Sequence, residues 1–190
     1  MSRIWRSVVT GVAIAAAAQA AQAGVIWNGS EYGLVDAEGI SWTSANAAVA
    51  AMGGGWHLAT ITSAAENDFV EASLLPASPV NRSHYWLGAT DAASEGSFLW
   101  LTGEPFSFTD WAGDEPNNFG NEDYLAYDFR SGAGWAWNDA PDNLGTAYGF
   151  ARGYVIERRV GTPVPLPGVL PLLGIGLGLI AARTVRRARV

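Results

Sequence analysis

The segment Glu115-Pro116-Asn117-Asn118-Phe119-Gly120-Asn121-Glu122-Asp123 is answered fourteen residues later by Trp137-Asn138-Asp139, so carboxylate and amide oxygens are gathered at two places in the chain. Ligands of this kind suit a hard cation: calcium takes six to eight oxygens from carboxylates, Asn side-chain carbonyls and main-chain carbonyls. Turn chemistry alone favours Asn, Asp and Gly, but it explains neither the two glutamates nor the second Asn-Asp pair. His57 and His84 are accompanied by no Gly-x-Ser-x-Gly or His-Glu-x-x-His element. The oxygens therefore read as a binding site and the chain as no enzyme.

The elements that must position these oxygens occupy the middle of the chain. Trp27 to Leu34 reads as an opening strand and Ser41 to Met52 as an Ala-rich helix stopped by Gly53-Gly54-Gly55. Trp56 to Ile61 alternates as a short strand, and Ser63-Ala64-Ala65-Glu66 is a capping box that opens a second helix through about Leu75. Beyond Pro76 and Pro79 the pattern is strand and loop: Tyr85 to Ala89, Ser97 to Leu101, Tyr124 to Phe129, Gly134 to Trp137 and Tyr154 to Arg158. Between Leu101 and Tyr124 runs a long stretch dense in Gly, Pro, Asn and Asp without helical or strand period. Loops of that length in a compact domain are functional or disordered. Phe106, Phe108, Trp111 and Phe119 argue for an ordered, side-chain-packed loop, because disordered segments are poor in aromatics.

The two ends of the chain carry a different signal. Residues 1–23 run from Arg3 and Arg6 through the small apolar stretch Val8 to Ala18 to Ala21-Gln22-Ala23, the order of a secretory signal peptide with its cleavage site. Residues 161–190 begin with Pro163, Pro165 and Pro167, continue as an uncharged apolar run from Gly168 to Ala182, and end in Arg183, Arg186, Arg187 and Arg189. That run is at the short end of what spans a bilayer, and its arginines would stay on the cytoplasmic side. The form Val164-Pro165-Leu166-Pro167-Gly168 resembles the PEP-CTERM class of bacterial sorting signals in a VPLPA-like variant, with Leu166 where Glu is usual. The resemblance implies transient anchoring in the inner membrane by a transmembrane helix, cleavage by an exosortase-type enzyme, and release or attachment at the cell surface. A permanent single-span anchor is the alternative that composition leaves open.

This leaves residues 24–160 as one domain with room for a core. It holds eighteen Asp and Glu against five Arg and no Lys, a net charge of minus 13. Such a surface attracts cations and repels phosphate backbones, so nucleic acid is excluded as a partner. With no cysteine, the fold must hold by packing, with metal binding as a supplement.

Five motifs in order resemble the C-type lectin-like domain over nearly all of 24–158: Trp86-Leu87-Gly88-Ala89-Thr90-Asp91, Glu95-Gly96-Ser97-Phe98-Leu99-Trp100, Trp111, Glu115-Pro116-Asn117 and Trp137-Asn138-Asp139. The resemblance implies an α+β fold of two helices and two small antiparallel sheets carrying a long calcium-binding loop. It implies a calcium site of Glu115, Asn117, Glu122, Asn138 and Asp139, with the Asp139 carbonyl as a sixth ligand. Two positions on the ion would remain for neighbouring sugar hydroxyls, which accept from the amides of Asn117 and Asn138 and donate to Glu115 and Glu122. A cis Glu115-Pro116 bond would turn Glu115 and Asn117 toward one centre. The Glu-Pro-Asn order resembles the subclass that binds mannose, fucose and N-acetylglucosamine. Asp91, Glu95, Asn118 and Asp123 match an auxiliary metal site, with Asn118 in place of the usual Asp. The chain departs from the family in lacking disulfides: Tyr124 stands where a cysteine normally follows the acidic pair, and Val155 near the last one. Calcium is therefore expected to do much of the work of keeping the loop folded.

The leading expectation is a secreted or surface-sorted, calcium-dependent carbohydrate-binding protein, with exopolysaccharide as target. The alternative is an adhesion or matrix protein that binds a protein partner through the same fold, with calcium purely structural.

Overall fold

Each helix begins at a serine whose hydroxyl replaces a missing helical acceptor. Ser41 accepts from the Ser44 N–H at the start of α1 (Trp42–Met52), and Ser63 from the Glu66 N–H at the start of α2 (Ala64–Leu74). Helix α1 stops at Gly53, whose φ of 66° an L side chain rarely adopts; α2 stops at Leu75, ahead of Pro76. The capping box around α2 forms only in part. Glu66 does not return to Ser63 but accepts from the N–H and hydroxyl of Thr62, at 2.8 and 2.9 Å, and from the Tyr32 hydroxyl at 2.5 Å. The box thus ties the helix start to the sheet.

The computed structural model describes residues 24–145 and 149–161. The strands are β1 (Val25–Trp27), β2 (Ser30–Asp36), β3 (His57–Leu58), β4 (Ser83–Thr90), β5 (Leu99–Trp100), β6 (Tyr124–Arg130), β7 (Gly134–Ala140) and β8 (Phe150–Arg159). The expected single opening strand is a hairpin: Asn28 and Gly29, both at positive φ, turn β1 back onto β2 with Trp27 opposite Ser30. Asn-Gly is the strongest local hairpin signal, and it interrupts the run at that point.

The sheet also corrects the expectation of two small antiparallel sheets. One path runs β1-β2-β8-β4-β6-β7, with β3 on β8 and β5 on β4. The join is the parallel pairing of β4 with β8, Ser83 opposite Phe150 and Trp86 opposite Tyr154. A parallel pair needs a long connection between its strands, and here everything from the end of β4 to the start of β8 supplies it. The α+β class stands, with a mixed sheet.

Strand alternation divides the core in two. On one face α2 covers Tyr32, Leu34, Leu87, Leu125, Tyr127, Trp137 and Val155; on the other α1 covers Val35, Leu58, Trp86, Ala126, Tyr154 and Ile156. Gly88 of β4 lets the end of β3 approach closely: a Cβ there would stand 2.5 Å from the Leu58 carbonyl, whereas Gly88 donates its N–H to the Ala59 carbonyl at 2.8 Å.

The first face carries the long loop. Trp137 is fully buried, and Trp100, Phe106, Phe108 and Trp111 surround it at ring-centre distances of 5.8, 6.1, 5.4 and 5.9 Å. The expected aromatic packing of the loop is therefore present, except at Phe119, which is 72% exposed. Asn67 of α2 joins loop to sheet: its Oδ1 accepts from the Tyr127 hydroxyl at 2.8 Å and the Trp137 indole at 3.1 Å, while its Nδ2 donates to Glu71 at 2.7 Å and Asp110 at 3.0 Å. Among the described residues no helix is long and apolar enough to cross a membrane. The signal-peptide reading of residues 1–23 and the sorting and anchor readings, from Thr162 on, lie outside the described residues.

Two outcomes follow from the Asn67 hub. Asn67→Ala strands two buried donors and should cost about 2 to 4 kcal/mol in urea unfolding, more than its lost contacts alone. Burial, with Asp110 and Asp68 adding to it, pushes the Glu71 carboxyl up to about 7 against the lowering effect of Asn67. The folded protein then holds the Glu71 proton to higher pH than the unfolded chain. Its contribution to stability is complete below about pH 4.5 and is lost as pH rises through about 7. Glu71→Gln should unfold at higher urea than the native protein at pH 8 by about 1 to 2 kcal/mol, discounted because the side chain is only half-buried; the two should coincide at pH 4.

Candidate functional site

The register of β7 on β6 places Asn138 and Asp139 directly after the buried Trp137, opposite Ala126 and Leu125. Trp137 is held from the other side by the loop, accepting from the Ala112 N–H at 2.8 Å and donating to the Asp110 carbonyl at 2.7 Å. The strand end that carries the second Asn-Asp pair therefore cannot shift without breaking both edges.

The loop is drawn onto that strand end by charge. The Asp139 carboxylate is buried and accepts the main-chain N–H groups of Asn117 at 3.2 Å and Asn118 at 2.7 Å, one on each oxygen. Glu122 is buried as well and accepts the Phe119 N–H at 2.8 Å; its own N–H donates to the Asn118 side chain at 2.7 Å. The Glu115-Pro116 bond is cis, as the resemblance implies. The Asn117 amide donates to the Glu115 carboxylate, and the Asn138 amide to the Asp139 carbonyl. Glu115, Asn117, Glu122, Asn138 and Asp139 thus stand in one hydrogen-bonded group built from the loop and the end of β7.

Arg130 completes this group and was not among the residues singled out from the sequence. Its Nη2 donates to Glu115 Oε1 at 2.5 Å and to Asn138 Oδ1 at 3.0 Å. Its Nε donates to Asp128 at 2.9 Å, and Arg82 Nη1 reaches the same carboxylate oxygen at 2.5 Å. The sequence held one signal for it. A domain with five arginines and no lysine spends each cation sparingly, and Arg130 alternates onto the face of β6 that Asn138 shares on β7.

Burial dominates the electrostatics, and neighbouring carboxylates add to it. Burial pushes the Glu122 carboxyl up to about 7, with Asp139 and Glu115 adding to the rise and the Phe119 N–H opposing it. The Glu115 carboxyl also lies above the usual range, because burial outweighs the pull of the Arg130 guanidinium. Carboxylates held this way are poised to accept a cation. Among the described residues no three His, Cys, Asp or Glu side chains are close enough to hold a metal by themselves; the candidate set needs the Asn amide oxygens, and Arg130 and main-chain donors hold its oxygens in this conformation.

The auxiliary set comes together less completely. Asp91 is 2% exposed; its Oδ2 accepts the Gly96 N–H at 2.8 Å, and its Oδ1 has no hydrogen-bond partner among the described residues. Its carboxyl is raised chiefly by burial, with Asp123 and Asp139 adding to it, and the charges of Asp91 and Asp123 act in turn on the exposed Glu95. The Asp91 N–H donates to the Asp123 carbonyl at 3.1 Å. Asn118, the fourth residue expected there, turns its side-chain oxygen to Glu122 instead.

Asp139→Ala should unhook the loop by removing two charge-assisted hydrogen bonds, about 2 kcal/mol together. Limited proteolysis in chelator should then cut between residues 114 and 121 about thirtyfold faster than in the native protein.

The profile of the Lectin C-type domain matches residues 38–148. Among curated proteins, an alpha-N-acetylgalactosamine-specific lectin of Patiria pectinifera is 35% identical over 92 residues, 48% of this chain and 55% of that protein. Lectin BRA-3 of Megabalanus rosa is 33% identical over 102 residues, 53% of this chain and 57% of the other. The chain spans about half the length of these relatives. Among solved structures, the C-type lectin CEL-I of Cucumaria echinata shares the fold with a TM-score of 0.59 at 26% identity, over 70% of this chain and 93% of that one. A cow C-type carbohydrate-recognition domain of CD23 superposes equally well, at 22% identity over 74% of this chain and 96% of that one. With the profile covering more than half of its residues and its fold shared over most of its length, the chain belongs to the C-type lectin domain family, whose domains bind and do not catalyse.

Proposed function

We propose that this domain binds carbohydrate through a calcium ion held by Glu115, Asn117, Glu122, Asn138 and Asp139, with the Asp139 carbonyl as a further ligand. The observation that carries the reading is the convergence of these residues on the end of β7, brought about by the two N–H groups that Asp139 accepts. Three carboxylates and two amides fit a hard divalent ion, and Glu122 stands among them with its carboxyl raised by burial and, to a lesser degree, by Asp139 and Glu115. Calcium, when bound, supplies a Lewis-acidic centre to which two adjacent hydroxyl oxygens attach.

The protein's own groups provide the orientation. Asn117 and Glu115 now pair with each other as donor and acceptor, and a sugar hydroxyl placed between them accepts from the amide and donates to the carboxylate. The same division holds for Asn138 and Glu122. The Glu-Pro-Asn order favours equatorial vicinal hydroxyls of the mannose type. One relative is named for alpha-N-acetylgalactosamine instead, so the two sugar classes are the informative arms of a binding test. Asp91, Glu95 and Asp123 provide a second and weaker calcium site, from which the Asn118 side chain is withdrawn by its bond to the Glu122 N–H. Export by residues 1–23 and sorting by residues 161–190, with exosortase-type processing, would place the domain at the cell surface, where exopolysaccharide is its target.

Calorimetry of the purified protein should give calcium binding with Kd on the order of 0.1 to 1 mM, as for extracellular calcium modules. Retention on a glycan array should require calcium and vanish in the double variant Asn117→Asp, Asn138→Asp. Sugar retention that survives both chelator and double variant would refute the calcium-mediated site, and calcium binding without retention of any glycan would favour a protein partner.

A further inference from the structure

Arg130 stands where two functions meet. Its guanidinium lies between a fully buried carboxylate, Asp128, and two of the oxygens assigned above to calcium, those of Glu115 and Asn138. The arrangement is built by the β6–β7 register. Asp128 lies opposite Ala136, Arg130 opposite Gly134 and Asn138 opposite Ala126, so the partners facing this row are all small and leave the long side chain a path along β7 to Asn138. Asp128 and Arg130 share a face of β6, and the Nε bond to Asp128 fixes the guanidinium while Nη2 points into the ligand set. The Arg130 side chain is 27% exposed and that of Glu115 only 5%, so the pair is poorly screened by solvent.

A guanidinium and a calcium ion make the same demand on Glu115 and Asn138: both are cations seeking oxygen. We propose that Arg130 is a tethered counter-cation that competes with calcium for this site. When calcium is scarce, Arg130 supplies the positive charge that the carboxylates need and keeps the loop closed on the end of β7. When calcium enters, Nη2 must give up Glu115 and Asn138 while Nε keeps Asp128, and the retained positive charge stays close to the ion. Both effects raise the calcium concentration needed for occupancy. The loop then has a second support besides the metal, in a domain that has no disulfide. The inference rests on the calcium reading of the same oxygens and adds to it a device that sets its threshold.

The test titrates calcium by calorimetry, and follows thermal unfolding in chelator, for the native protein and for Arg130→Gln and Arg130→Lys. Arg130→Gln should bind calcium about tenfold more tightly, because a poorly screened positive charge is gone. In chelator the same variant should unfold about 3 to 5 °C below the native protein. Arg130→Lys keeps the charge but not the fork that spans Asp128 and Glu115, and its calcium affinity should change no more than about threefold. Calcium affinity in Arg130→Gln equal to or weaker than in the native protein, with cooperative unfolding retained, would overturn the proposal. An unchanged melting temperature in chelator would overturn it as well. Absence of calcium binding in all three proteins would remove the calcium reading itself and leave Arg130 as a permanent ion pair.

Discussion

The burial of Trp137 is the constraint from which the site follows. Its indole is enclosed by four aromatic rings and bonded to Asn67, and its main chain is paired to Tyr127 on one edge and bridged to Trp111 on the other. A side chain of this size contributes several kilocalories per mole only while the fit is kept. Register slippage in a strand would move every side chain to the other face, so the ring also fixes which face Asn138 presents. Asp139 then lies at a defined point beside the loop and collects two of its N–H groups. The hydrophobic core thus positions the polar site at its edge.

A second balance concerns charge. Glu115, Glu122 and Asp139 are brought together, and burial, with Asp139 and Glu115 adding to it, raises the Glu122 carboxyl to about 7. Main-chain N–H groups, Arg130 and the amide of Asn117 offset part of their charge. Calcium is expected to keep the loop folded, and the protein supplies donors beside it. Protein donors already close the loop onto β7, and a cation supplied by the chain stands among the oxygens.

Local chemistry made much of the fold legible. Ser41 and Ser63 cap their own helices, and Gly53 and Pro76 stop them, within a few residues of where each signal is read. Where local signals pointed elsewhere, a distant partner decided. Glu66 belongs by spacing to a capping box, yet Thr62 and Tyr32 take its carboxylate. Phe119 belongs by composition to the packed aromatics, yet its main chain is held by Asn117 and Glu122 and its ring is exposed. The Asn28-Gly29 turn was local and readable, but the apolar run through it reads as one strand.

The sequence by itself determined the kind and order of the oxygens, Glu-Pro-Asn, Glu122 and Asn-Asp, together with the aromatic motifs that identify the domain; these are matters of residue type and short spacing. Only the tertiary structure decided that the β4–β8 pairing joins the strands into one mixed sheet, that Asn118 serves Glu122, and that Arg130 stands among the candidate ligands. The physical reason is the same in each case. A buried charge or an open strand edge is satisfied by whichever partner the fold brings within about 3 Å, and that partner comes from any distance along the chain.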